Sequence, residues 1–153
     1  MSLTIPETRL NAAKMELDQL IKQWLDEYLA RTPMARVPPP RWKWTPEWSA
    51  IHYHITDQTI YINEYYAKGY ILSPNKAKRV LRWSLAHEFW HYIQHVHGGP
   101  LGFPILDFSR VAEVLAEKHA VLLSGISNPE GDALTVEIVD LVMFFEQAEY
   151  AWR

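Results

Sequence analysis

The ten residues from Ser84 to Ile93 constrain the fold most strongly, because they place a polar stripe on a helix that is otherwise apolar. His87 and His91 are four residues apart, so on a helix they lie one turn above each other, about 40° apart around the axis. Glu88 follows the first histidine. The other side carries the apolar residues Leu81, Leu85, Phe89, Trp90, Tyr92, Ile93 and Val96. Such a helix packs its apolar side into a core and turns the polar stripe towards a cleft.

The spacing His-Glu-x-x-His is typical of a metal site. Two imidazoles one turn apart can bind one ion, and the glutamate beside them can act as a base. The chain has no cysteine, so a transition metal must be held by histidine and carboxylate. Such a ligand set suits a catalytic Zn²⁺. The sequence therefore predicts a zinc site with His87 and His91 as ligands and Glu88 as the catalytic residue.

A second predicted helix, at residues 110–123, offers a third ligand. It is apolar nearly all round, which predicts a buried helix, yet it carries Glu113 and Glu117 one turn apart. A buried carboxylate is costly unless it meets a cation. We therefore expect Glu113 to bind the metal and Glu117 to accept a hydrogen bond from a ligating imidazole. Three alanines, which would let the two helices approach closely, flank that face: Ala112, Ala116 and Ala120.

Other choices of third ligand stay open. Glu117 could replace Glu113 as the ligand. His97 follows His91 by six residues, which is the spacing of metzincins and would give a three-histidine set. That geometry requires the helix to end just after His91, whereas the helical pattern continues here. His95 lies on the metal side of the helix but one turn further along, where it would line the cleft.

The motif helix should begin at Ser73, with Ser73 as its cap and Pro74 in the first turn, and should end near His97 before Gly98-Gly99-Pro100. Asp107 or Ser109 would cap the glutamate helix. Before the motif helix, residues 51–55 and 59–62 alternate polar residues with β-branched and aromatic ones, which predicts a β-hairpin. Its outer strand would either pair with an extended peptide or only cover the core.

The two ends of the chain differ in pattern from this central part. Residues 7–31 predict an amphipathic helix. Residues 32–48 are rich in proline and tryptophan and predict a connector without helix or central strand. Residues 132–152 predict a third long helix after a turn at 127–131. It has more apolar surface than one contact requires, so it could dock in the cleft as an inhibitory tail, form a homodimer, or pack between the other helices.

Composition limits the architecture and the partners. A chain of 153 residues, 48% of them hydrophobic, predicts a single domain over 1–153, with 49–126 as its catalytic core. A formal net charge of −3 gives no reason to expect nucleic acid or an anionic membrane as partner. The tryptophans near Arg41, including Trp48, are therefore expected to lie over the core. Without a leader or a membrane-spanning apolar run, a cytoplasmic location is predicted.

The motifs resemble those of the gluzincin clan of zinc metallopeptidases. The pattern HExxH is followed, 22 residues after His91, by the pattern ExxAE that begins at Glu113. The order of hairpin, motif helix and glutamate helix is similar to that of the small peptidases called minigluzincins and of ImmA/IrrE-like peptidases. The resemblance spans about 51–126. It implies a small, zincin-like α+β fold that is mainly helical. It also implies Zn²⁺ bound by His87, His91 and Glu113, with Glu88 as general base and Glu117 beside the ligands.

The expected activity is zinc-dependent endopeptidase hydrolysis of a peptide or protein substrate, with a water molecule at the fourth metal position and Glu88 moving the protons. A histidine or tyrosine often helps to stabilise the oxyanion, and Tyr65, Tyr66, His95 and Tyr150 are all candidates. The alternative is a catalytically silent zinc-binding module with a regulatory or interaction role.

Overall fold

The computed structural model describes residues 5–33, 36–46, 51–97 and 110–151, with the backbone alone for 147–151. Within these ranges the chain forms five helices and one three-stranded sheet. The elements in chain order are α1 Glu7–Ala30, β1 Arg41–Thr45, β2 His52–His54, β3 Thr59–Asn63, α2 Tyr65–Leu72, α3 Pro74–Val96, α4 Arg110–Ser124 and α5 Asn128–Ala151. The predicted fold class, α+β and mainly helical, is confirmed.

The motif helix α3 is the centre of the fold, because it packs against the four other helices and against β2. Its predicted apolar side is confirmed by the fully buried residues Leu81, Leu85, Phe89 and Ile93. Pro74 is the first helical residue, as predicted, since its fixed φ suits the first turn. The predicted side-chain cap is wrong: Ser73 precedes the helix, but only its carbonyl takes part, accepting from the Ala77 N–H at 3.0 Å.

The sheet has the order β1-β3-β2. The predicted hairpin is confirmed, because β2 and β3 pair antiparallel across a turn that ends at Gln58, whose φ is +54°. The segment predicted as a connector contributes β1, which pairs parallel with β3 from Arg41 opposite Thr59 to Thr45 opposite Asn63. Prolines flank these five residues but do not occur among them, so they can form an edge strand.

Two tryptophans of β1 point towards α1. The indole N–H groups of Trp42 and Trp44 both donate to the same carboxylate oxygen of Asp18, at 2.9 and 2.8 Å. Both rings pack against the core, as predicted for this cluster. Trp48 lies outside the described residues. The shared acceptor fixes β1 against the helix that covers this side of the core.

Helix α2 is an element that the sequence analysis did not assign. Its eight residues are too few to show a helical period, although Asn63 gives a start signal by accepting a hydrogen bond from the Tyr65 N–H at 3.0 Å. Gly69 lies against α5, and a Cβ there would be 2.6 Å from Cγ2 of Ile138. The absence of a side chain at this position therefore lets α5 approach α2.

Helix α4 is buried on one face, which corrects the prediction of burial all round. The buried face consists of Ala112, Ala116, Ala120 and Leu123. Exposed apolar side chains cover the opposite side: Val111 at 65%, Val114 at 45% and Leu122 at 62%. Apolar composition alone cannot distinguish a buried helix from one that presents a second apolar face. The alanine face packs on α3, so the predicted close approach of the two helices is observed. The predicted caps Asp107 and Ser109 lie outside the described residues.

Helix α5 begins at Asn128, four residues earlier than predicted, because the expected turn is its first helical turn. Ser127 Oγ accepts from the Glu130 N–H at 3.3 Å, and Pro129 is tolerated in this turn. The helix contributes Leu134, Ile138 and Val142 to the core. Removing α5 is therefore expected to destabilise the fold rather than to free a cleft. In the ranges that the structure describes, no helix has the length and apolar character needed to cross a membrane.

Candidate metal centre

Three side chains from α3 and α4 converge on one point. His91 Nε2 lies 2.9 Å from Glu113 Oε1, and His87 Nε2 lies 3.2 Å from Glu113 Oε2. The two Nε2 atoms are 3.1 Å apart. A tetrahedral site with bonds of about 2.0 Å has edges of about 3.3 Å, so these atoms are spaced like three of its four corners. The structure thus brings together the three predicted ligands in a group that can hold a metal ion.

Helix packing places the carboxylate. The two histidines are one turn apart on α3, and their relative position needs only a regular helix. Glu113 comes from the neighbouring helix α4, where Ala112 and Ala116 are buried and the Ala112 carbonyl accepts a hydrogen bond from Gln94 of α3. Because these neighbours are only methyl groups, α4 lies close enough for the glutamate to reach both imidazoles.

Gln94 fixes the ring of His91. Its side chain is fully buried, and its amide Nε2 donates to the Ala112 carbonyl at 2.9 Å. A carbonyl can only accept, so the amide oxygen must be the atom that lies 2.9 Å from His91 Nδ1. That oxygen also only accepts, so Nδ1 carries a proton and Nε2 is the ring nitrogen that faces Glu113. The ring is therefore held in the orientation in which Nε2 can bind a metal ion.

The role expected for Glu117 belongs to Gln94. Glu117 is exposed on α4, and the partner of the ligating imidazole comes from α3 itself. Glu113 is not deeply buried either, since 45% of its side chain is exposed. The prediction that both carboxylates are buried was thus wrong, although Glu113 is the residue that contacts the histidines. A polar residue three positions after His91, on a largely apolar helix, was the signal for Gln94.

Glu88 lies beside this group and faces the sheet. Its Oε2 accepts a hydrogen bond from the backbone N–H of Tyr53 in β2, at 2.7 Å. Burial raises the pKa of Glu88 to about 8, although the bond from Tyr53 acts in the opposite direction. Burial lowers the pKa of His87, and the neighbouring imidazole of His91 acts in the same direction, which favours the neutral form of His87 that can bind a metal. Because Glu88 uses the Tyr53 N–H, the predicted pairing of a peptide with this strand cannot use that group.

A cavity of about 220 Å³ adjoins His87 and Glu88. It is lined by Ile51, Tyr65, Tyr66, Trp83, Ser84, His87, Glu88, Asp132 and Thr135. Two of the four predicted oxyanion stabilisers, Tyr65 and Tyr66, are thus in its wall. His95 does not line this cavity, and its Nδ1 lies 2.7 Å from the hydroxyl of Tyr53. The side chain of Tyr150 lies outside the described residues.

The remaining alternative ligand, His97, follows the end of α3 and lies outside the three-residue group. The helix continues to Val96, so the early helix end that a three-histidine site requires does not occur. Comparisons of the chain with protein-family models, with curated proteins and with solved structures give no match. The likeness to gluzincins therefore stays a prediction from the motifs.

Proposed function

We propose that the chain is a zinc-dependent endopeptidase in which His87, His91 and Glu113 hold the metal. The observation that supports this most directly is the spacing of 2.9 to 3.2 Å among the three donor atoms, beside a carboxylate and a cavity. Two imidazoles and one carboxylate form a ligand set of catalytic zinc sites, and they leave a fourth position for a reactant.

Zn²⁺ in this position would supply a Lewis acid that polarises a peptide carbonyl and lowers the pKa of water. Glu88 is the residue that moves protons. Its Oε2 is held by the Tyr53 N–H, which leaves Oε1 to take a proton from the attacking water. As the C–N bond breaks, Glu88 passes that proton to the leaving amine. Burial raises the pKa of Glu88 to about 8, which is close enough to neutral pH for the carboxylate to accept a proton in the first step and for the acid to donate it in the second.

The cavity provides the place for substrate. Tyr65 and Tyr66 lie in its wall, and burial raises the pKa of both hydroxyls, so they remain protonated donors at neutral pH. Either hydroxyl can contribute a hydrogen bond to the negative charge that develops on the carbonyl oxygen. The two hydroxyls are themselves joined by a side-chain hydrogen bond, and the Tyr66 hydroxyl also donates to Ser84 Oγ at 3.1 Å.

The test is to measure bound zinc and cleavage of an unfolded protein, for the wild type and for Glu88→Gln. We expect one zinc per chain in both proteins, and hydrolysis by the wild type alone. His91→Gln should lose both zinc and activity. Glu117→Gln is the matched control, because it removes an exposed acid from the same helix as Glu113 and should change neither. Zinc binding without hydrolysis of any peptide by the wild type would contradict the proposal and favour the catalytically silent module.

A further inference from the structure

The cavity beside Glu88 has aromatic walls and one acid at its rim. Tyr65, Tyr66 and Trp83 provide the rings, and Asp132 in α5 provides an exposed carboxylate. Among the described residues that line the cavity, no lysine or arginine occurs. A ligand side chain in this cavity would therefore contact both apolar surface and a negative charge.

The carboxylate of Asp132 is available to a ligand, in contrast to its acidic neighbours on α5. Glu130 pairs with Arg79, and Glu137 pairs with Lys76 at 3.0 Å. Asp132 forms no ion pair with any residue in the described part of the chain. A cation in the cavity would therefore be attracted to its negative charge.

The acid and the aromatic wall are held in a fixed relation. Gly131, next to Asp132, packs against the ring of Trp83, and a Cβ at this glycine would overlap that ring. The indole N–H of Trp83 also donates to Asn128 Oδ1 at 3.0 Å. Because α5 is attached to the wall at two points, Asp132 is positioned before any ligand arrives.

We propose that this cavity binds a lysine or arginine side chain of the peptide substrate, with Asp132 as the residue that determines this preference. The aliphatic stem would lie against Ile51 and the rings, and the cation would reach Asp132 and the face of Trp83. A volume of about 220 Å³ suits a single long side chain rather than a drug-sized ligand. That the bound peptide is a substrate rests on the proposed peptidase function, but peptide binding can be measured separately from hydrolysis.

The experiment measures binding of three unstructured peptides that differ at one position, which is lysine, norleucine or glutamate. The protein is zinc-loaded Glu88→Gln, which should not cleave them, and the readout is fluorescence anisotropy. We expect the lysine peptide to bind about two- to fivefold more tightly than the norleucine peptide, the size of effect expected for a solvent-accessible ion pair. Adding Asp132→Asn should reduce this ratio to about one. Adding Glu137→Gln, which removes an acid from the same helix outside the cavity, should leave the ratio unchanged.

Reversing the charge at residue 132 provides a second test of the peptide preference. Asp132→Lys should make the glutamate peptide the tightest ligand, and a melting curve shows that each variant is folded. Equal affinity of the three peptides, no binding, or equal effects of Asp132→Asn and Glu137→Gln would overturn the inference. A lysine preference in binding, together with no hydrolysis by the wild type, would support this cavity role and contradict the peptidase function. Hydrolysis by the wild type without a lysine preference would support the peptidase function and contradict the role proposed for this cavity.

Discussion

Replacing Gln94 with methionine tests whether the candidate metal centre depends on the orientation of one imidazole. Gln94 is fully buried and joins His91 Nδ1 to the Ala112 carbonyl by two hydrogen bonds of 2.9 Å. Methionine has nearly the same length and fills the same space, but it can make neither bond well. The variant therefore changes hydrogen bonding while it largely keeps the packing between α3 and α4.

Two magnitudes follow from these contacts. For the metal-free protein, the loss of both bonds is expected to lower the free energy of unfolding by about 2 kcal/mol, since a net hydrogen bond contributes roughly 1 kcal/mol. For metal binding, the ring of His91 loses the acceptor that fixes its tautomer and raises its basicity. Loss of such a partner typically weakens metal affinity by about 10 to 100-fold.

Two further variants separate these effects. Gln94→Glu keeps an acceptor for His91 but loses the donor to Ala112, so it should lower stability while it holds zinc affinity within about threefold of the wild type. Val80→Ala is the control for stability alone. Val80 is fully buried on α3, about two turns before His87, and its truncation should cost about 2 kcal/mol without a change in zinc affinity.

The assays are urea unfolding of the metal-free proteins and competition for zinc with a chromogenic chelator. The expected order of zinc affinity is wild type, Val80→Ala and Gln94→Glu together, then Gln94→Met well below them. If Gln94→Met binds zinc within threefold of the wild type, orientation of His91 by Gln94 is not what builds the site. If Val80→Ala loses as much affinity as Gln94→Met, the effect is one of stability.

Three other perturbations follow from the structure. Zinc at 100 times its dissociation constant should stabilise the wild type by about 2.7 kcal/mol and raise the melting temperature by roughly 5 to 10 °C, and Glu113→Ala should abolish this shift. Gly131→Ala should lower the free energy of unfolding by about 1 to 3 kcal/mol, because its Cβ would overlap the ring of Trp83; unchanged melting would show that α5 can move. Trp42→Phe removes one of the two indole donors to Asp18, so urea unfolding should show a loss of about 1 kcal/mol.

Local patterns were sufficient to predict the elements that depend on neighbours in sequence. The long helices α1 and α3 and the β2–β3 hairpin all repeat a period within one segment, and the structure confirms them. The strand β1 could not be assigned from the sequence. It pairs with β3, from Arg41 opposite Thr59, and no periodic pattern links these two distant segments. Its five residues carry no signal of a parallel partner.

The solvent exposure of the two glutamates on α4 was predicted wrongly. The expected burial of Glu113 and Glu117 came from the apolar composition of α4, yet Val111 and Val114 on the same helix are exposed. The stripe of alanines was the better signal, because it determines how closely α4 approaches α3 whatever the opposite face does. Glu113 can remain half-exposed and still reach both imidazoles.

Ligand orientation and helix packing are not independent in this protein, because both involve Gln94. The same amide that orients His91 donates to the carbonyl of Ala112, the residue just before Glu113. A displacement of α4 that moved the carboxylate would also break the bond to the Ala112 carbonyl and release the amide that sets the imidazole. The three donor atoms therefore keep or lose their mutual spacing together, and a metal ion bound by all of them would in turn hold α4 on α3. This coupling explains how one carboxylate on a half-exposed helix can complete a site whose other two ligands come from the centre of the fold.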